Sequence, residues 1–178
     1  MFNRRTKFNV AQLGRLDRAQ VWNAVGLAGL TQGAFEFIFL PDVIDVPNEV
    51  RLANGGYDLD KVVAELIDRR VLPAPLILFT SLPYGDPANP DTPEDFYMSE
   101  KYSHDTFLIS TYWWDTLRHS EGLQPYVLMM LSTTALSHLT HLQYHYESAR
   151  CQFDYCDDVE DMPRVLEGQA YAGRVIIT

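Results

Sequence analysis

Three histidines and two cysteines crowd one stretch of this chain, SHLTHLQYHYESARCQFDYC: His138, His141, His145, Cys151 and Cys156. They are three of its five histidines and both of its cysteines, within 19 residues. On a helix, positions 138, 141 and 145 fall within about 60° of one another at about 100° per residue, so they share a face. His141 and His145, four apart, project side by side and can share one ion. Imidazole and thiolate are the donors that a borderline-soft ion such as zinc selects. A blander alternative stands beside this one. Helical histidines are often simply hydrogen-bonded or exposed, Cys-x4-Cys is a loose spacing, and cysteines pack as small hydrophobes.

Two carboxylates, Glu147 and Asp154, lie close in sequence to these donors and could serve as a general base. His145 with Cys151 or Cys156 has the parts of a thiol nucleophile and its base, but the flanking residues match no cysteine-protease signature. The chain contains no G-x-G-x-x-G, no G-x-x-x-x-G-K-[ST] and no G-x-S-x-G, so dinucleotide, P-loop and nucleophile-elbow chemistry find no support. The acids Asp157, Asp158, Glu160 and Asp161 suit a solvated helix start and lack the glycine and terminal glutamate of a calcium loop.

Elements must position these groups. Residues 17–31 have apolar positions at helical spacing: Val21, Trp22, Val25 and Leu27 or Ala28. The aromatic run AFEFIFL (34–40) predicts a strand, and residues 41–57, with Asn-Gly-Gly, predict a loop. DLDKVVAELIDRR (58–70) predicts a helix capped by Asp58, with Val62, Val63, Leu66 and Ile67 as its buried stripe. PLILFTS (75–81) reads as an interior strand. Residues 82–105, with four prolines and four aromatics, form a long loop suited to a lid or a binding role. A strand over 106–114 follows, then a helix from about 126 to 147. That helix is apolar on most sides in its first half and carries the histidines in its second.

At 178 residues and 47% apolar composition, a single domain, 1–178, with a full core is expected. No run approaches the roughly 20 apolar residues of a membrane span, and no secretory signal is apparent. Two cysteines are too few for a disulfide framework, which points to reduced thiols in a cytoplasm. Charge is uneven. Residues 1–20 hold Arg4, Arg5, Lys7, Arg15 and Arg18 against Asp17 alone, within an overall net of −10. The acidic body argues against nucleic acid, whose phosphates need lysine and arginine clusters. Residues 1–15 read as a solvated basic arm.

The His-Cys stretch resembles the zincin metalloproteases. The metzincin pattern H-E-x-x-H-x-x-G-x-x-H places its third ligand six residues after the second histidine, and here that position is Cys151. Archaemetzincins place cysteines just after the third ligand, near Cys156. The element order is also similar to a zincin: a small mixed sheet, then a central ligand-bearing helix. The chain departs from the pattern at Leu142, where the general-base glutamate would stand, and at Ser148, where the glycine would. A second resemblance is to uncharacterised bacterial proteins with an H-x-E-T-R-G-C-x-F-D-[FY]-C signature. His145, Glu147, Cys151, Phe153, Asp154, Tyr155 and Cys156 stand in register with it, while Ser148, Ala149 and Arg150 depart.

The expectation is an α/β (α+β) protein of zincin-like layout. Its function would be metal-dependent, peptidase-like hydrolysis, with zinc held by His141, His145, Cys151 and Cys156 and with Glu147 or Asp154 as base. The alternative is a non-catalytic protein-interaction domain with a structural or degenerate Cys/His site. Either way the partner is a protein or peptide. A closed four-ligand site favours the second reading, and an open coordination position beside a carboxylate favours the first.

Overall fold

Residues 6–13, within the stretch read as a solvated basic arm, form a strand in the interior of a sheet. In the computed structural model, which describes residues 5–16, 19–30, 35–69, 72–91, 99–103, 105–112 and 123–140, β1 spans Thr6–Leu13. Phe8, Val10, Ala11 and Leu13 on it are fully buried. The expectation fails because it weighed charge alone. Phe8 and Val10 alternate with polar neighbours, which is the strand period, and the one cation inside the strand, Lys7, stays exposed beside Glu36.

The order continues with α1 (Ala19–Leu30), β2 (Phe35–Ile44), a single 3-10 turn (Asn48–Val50), α2 (Leu59–Arg69) and β3 (Leu76–Thr80). It ends with β4 (Ser99–Ser103), β5 (Thr106–Ser110) and α3 (Leu123–Thr140). One five-stranded sheet has the order β2-β1-β3-β5-β4. The first four strands run parallel, and β4 is antiparallel to β5 at one edge. Contacts divide the chain into two compact units, Met1–Arg18 with Thr31–Trp113 and Ala19–Leu30 with Trp114–Thr178. The sheet and α2 belong to the first, and α1 and α3 to the second.

In the first unit, Val50, Leu59, Val62 and Val63 pack on Ala11, Leu13, Leu76, Leu78 and Leu108, so α2 covers one face of the sheet. The opposite face, with Phe8, Val10, Ile77, Phe79, Phe107 and Ile109, is equally buried. Strands buried on both faces need near-continuous apolar sequence, which LILFT and TFLIS supply. Each large side chain so buried stabilises the fold by about 1.5–3 kcal/mol. Gln12 interrupts the second face: it is 9% exposed, and its Oε1 accepts no hydrogen bond among the described residues.

Asp58 caps α2 as expected, its Oδ1 accepting the Lys61 N–H at 3.0 Å. Four boundaries differ from the sequence reading, and one of them is the strand expected over 106–114, which is β5 and ends at Ser110. β2 runs on through Pro41 to Ile44, and Pro41 is tolerated there because β2 is an edge strand whose register with β1 shifts between Val10 and Gln12. The 82–105 loop contains β4, which a two-residue connection joins to β5. α3 starts at Leu123, ahead of Pro125, since a proline in the first helical turn gives up an N–H that has no helical partner anyway.

Candidate functional site

α3 is the helix that leads into the histidine run. Leu123, Tyr126, Val127, Met129, Met130, Leu131, Thr133, Thr134 and Ala135 are buried, so its first three turns are apolar on most sides. Burial then falls away: His138 is half-buried, and Leu139 and Thr140 are exposed. Two hydroxyls fold back on the helix, Ser132 onto the Met129 carbonyl at 2.8 Å and Thr140 onto that of Leu136 at 2.6 Å. Within the same unit α3 packs with α1, whose buried stripe is Val21, Ala24, Val25 and Ala28. The choice between Leu27 and Ala28 thus falls to Ala28, and Leu27 is 44% exposed. The Leu123 N–H, at the start of α3, donates to Oε1 of Gln20 on α1 at 3.0 Å.

Of the histidines and cysteines singled out, His138 lies on the last described turns of α3. His141, His145, Glu147, Cys151, Asp154 and Cys156 lie outside the described residues. Among the described residues no three His, Cys, Asp or Glu side chains converge as metal ligands.

In the first unit the chain after β3 is bound to the chain before α2. Asn54-Gly55-Gly56 makes the expected turn: Gly55 has φ +96°, Asn54 Oδ1 accepts the Gly56 N–H at 2.8 Å, and Arg51 bridges Tyr57. Tyr57 then pairs with residues 83–85, donating to the Pro83 carbonyl at 2.9 Å and accepting from Gly85 at 3.0 Å. A Cβ on Gly56 would meet the Gly85 Cα and the Tyr84 carbonyl at 2.9 Å, so the two backbones touch. The Tyr84 hydroxyl donates to Asp60 Oδ2 at 2.9 Å. Burial, and then the hydrogen bond to Asp60, push its pKa well above the ordinary tyrosine value, with Asp86 and Asp58 adding in the same direction. Tyr84 therefore keeps its proton at neutral pH and acts as a donor, never as a base.

An open hollow of about 350 Å³ lies at the amino ends of β3 and β5, lined by Leu66, Ile67, Leu72, Ala74, Leu76, Asp105 and Thr106. Among the described residues it holds a single carboxylate and no second titratable group. Leu66 and Ile67, expected in the buried stripe of α2, are half-buried beside it.

The sequence reading missed β4. Its SEKYS is polar and follows four prolines, and the sequence between it and β5 lacks the Asn-Gly or Asp-Gly that marks a tight hairpin. The feature matters because β4 ends the sheet with β5 as its one paired strand among the described residues. An edge of that kind presents backbone N–H and C=O groups to an extended peptide.

With this geometry in place, solved structures can be compared. Archaemetzincin from Methanopyrus kandleri matches with TM-score 0.61 at 14% identity, covering 98% of this chain and 97% of that one. The fold is archaemetzincin-like. The Archaeoglobus fulgidus archaemetzincin, solved with malonate, gives 0.58 at 16% identity over 89% of this chain and 92% of that one. A zinc-dependent peptidase from Methanocorpusculum labreanum gives 0.61 at 15% identity over 88% and 92%. No family model matches the chain, and no curated protein is similar enough in sequence to match. The bacterial H-x-E-T-R-G-C-x-F-D-[FY]-C signature therefore gains nothing from these comparisons, whereas the expected mixed sheet with helices is the fold observed. No helix among the described residues is long and apolar enough to cross a membrane.

Proposed function

We propose that this chain is a zinc-dependent hydrolase acting on peptide bonds, built as one domain and working in a reducing, cytoplasmic compartment. One observation carries the proposal. In an archaemetzincin-like fold, a buried helix, α3, runs out of the core and into His141 at its next residue. His141, His145 and Cys151 are the ligands, with Cys156 as a fourth ligand or as support. The donor set fits the ion, since two imidazoles and a thiolate suit zinc and leave one position open. Bound there, zinc would polarise a peptide carbonyl and lower the pKa of water in that open position.

The chain's own residues supply the rest. Leu142 stands where a zincin carries its base and accepts no proton. A carboxylate oxygen of Glu147 or Asp154 takes the proton from the attacking water and returns it to the leaving amine. The thiols of Cys151 and Cys156 stay reduced.

Leu142 also favours a second reading, a non-catalytic domain that binds a protein or peptide and keeps a structural Cys/His site. Elemental analysis separates the readings from an adventitious resemblance. It is run on untagged protein purified without added metal, with His145→Ala and Cys151→Ala beside the wild type. Stoichiometric zinc, lost in both variants, supports the site. Peptide hydrolysis that falls at least roughly a hundredfold in Glu147→Gln or Asp154→Asn then identifies the base. Zinc without hydrolysis leaves the binding domain, and wild-type protein free of metal overturns the hydrolase.

A further inference from the structure

The two edges of the sheet differ in chemistry. β4 is short, five residues, and polar in sequence. β2 is ten residues long and opens with Phe-Glu-Phe-Ile-Phe-Leu. Among the described residues β1 is its one paired strand. Glu36, the acid in this stretch, is held by Lys7 of β1 at 3.6 Å. Alternation places Phe35, Phe37 and Phe39 on one face, where the rings of Phe35 and Phe37 lie 6.1 and 5.8 Å from that of Phe8. Phe39, the outermost, is 39% exposed. Leu40, on the other face, packs against the core under α2. The edge is thus apolar, lies beside a ready-made aromatic cluster, and ends at Pro41, which has no N–H to offer.

We propose that β2 pairs antiparallel with β2 of a second copy of this chain, across a two-fold axis at Ile38. The segment is self-complementary about that residue. Phe37 comes opposite Phe39 twice, which joins two aromatic strips on one face, and aromatic pairs are among the favourable cross-strand neighbours. Glu36 comes opposite Leu40, so neither acid faces the other copy's acid. Phe35 comes opposite Pro41, and there the ladder stops. The contact is isologous and closed, which limits assembly to a dimer and spares the edge from open-ended aggregation. The occupant is another copy because the strip has no basic or acidic pattern that would select a different partner, while its own sequence matches itself in register and in charge.

Sedimentation velocity over a wide concentration range tests the assignment, using the full chain, Phe39→Lys and Val43→Lys. Val43 is 41% exposed on the same strand but lies beyond Pro41, so it controls for the added charge. The expected result is a concentration-dependent dimer that Phe39→Lys weakens at least roughly tenfold and Val43→Lys leaves unchanged. A wild type that stays monomeric, or a dimer that both variants or neither weaken, overturns it. Should Phe39→Lys fail to fold, amide exchange in the wild type decides. Protection of residues 35–40 that rises with protein concentration supports the pairing, and protection independent of concentration overturns it.

Discussion

Tyr84 shows how one side chain can fasten two segments. Its hydroxyl donates to Asp60 on the first turn of α2, and its backbone lies against Tyr57, so the chain leaving β3 is fixed to the helix before it. Tyr84→Phe removes a hydrogen bond to a charged acceptor at a partly exposed site, which is expected to cost about 1 kcal/mol in a denaturant titration. The pH dependence has a definite sign. The folded pKa lies above that of the unfolded chain, so the stabilisation is complete below about pH 10. It is lost as pH rises from there towards the folded value, because only the unfolded chain gives up the proton. Unfolding followed from pH 8 to 11 should show this loss in the wild type and a flatter profile in Tyr84→Phe. None of this was legible in the sequence, where Tyr84 was one aromatic among four in a proline-rich stretch. Its partner lies 24 residues away, and only the fold brings the two together. The histidine and cysteine spacing is a different case, since it stands in the sequence itself and His141, His145, Cys151 and Cys156 lie outside the described residues.

Elements whose character is local were read correctly, and those decided by distant partners were not. α2 shows the first kind: Asp58 as cap and Val62 and Val63 as buried stripe are properties of the helix's own residues and the one before them. β3 shows it too, because a five-residue apolar run has few other places to go. β1 shows the second kind, since Lys7 and the arginines flanking the strand hid a period-two pattern that gains meaning only when β2 and β3 lie on either side. β4 is weaker still in sequence, and pairing with β5 alone makes it a strand. α3 joins both kinds. Its apolar body was evident, but its start at Leu123 depends on the side chain of Gln20. Gln20→Ala is expected to destabilise the chain by about 0.5–1 kcal/mol and lower Tm by about 2 °C, measurable by circular dichroism melts. Gln20→Glu, which keeps an acceptor there, should lose less.

For the molecule as a whole, the class of fold was legible and the strand order was not. Helix and strand alternation announces a layered α/β arrangement. The order β2-β1-β3-β5-β4 depends on which strands meet across the sheet, and no periodicity encodes that. The order gives β1 an outsized role, because it separates the β2 edge from the remaining strands. Deleting residues 1–13 is therefore expected to abolish cooperative unfolding altogether, unlike trimming a solvated arm, which should leave the melt unchanged. The comparison is direct by calorimetry of the deletion beside the full chain.

The hydrogen bond between Gln20 and Leu123 spans 103 residues, and it has a consequence during synthesis. α1 leaves the ribosome early, bearing no charged side chain and an apolar stripe of Val21, Ala24, Val25 and Ala28. At about 5–20 residues per second, its partner helix follows only after roughly 5–20 s. Every strand of the sheet except β1 is made in that interval. A nascent chain of this protein thus carries a sticky, unpaired helix through most of its elongation. Slow codons or chaperone depletion before residue 123 should lower its soluble yield far more than the same delay placed after α3.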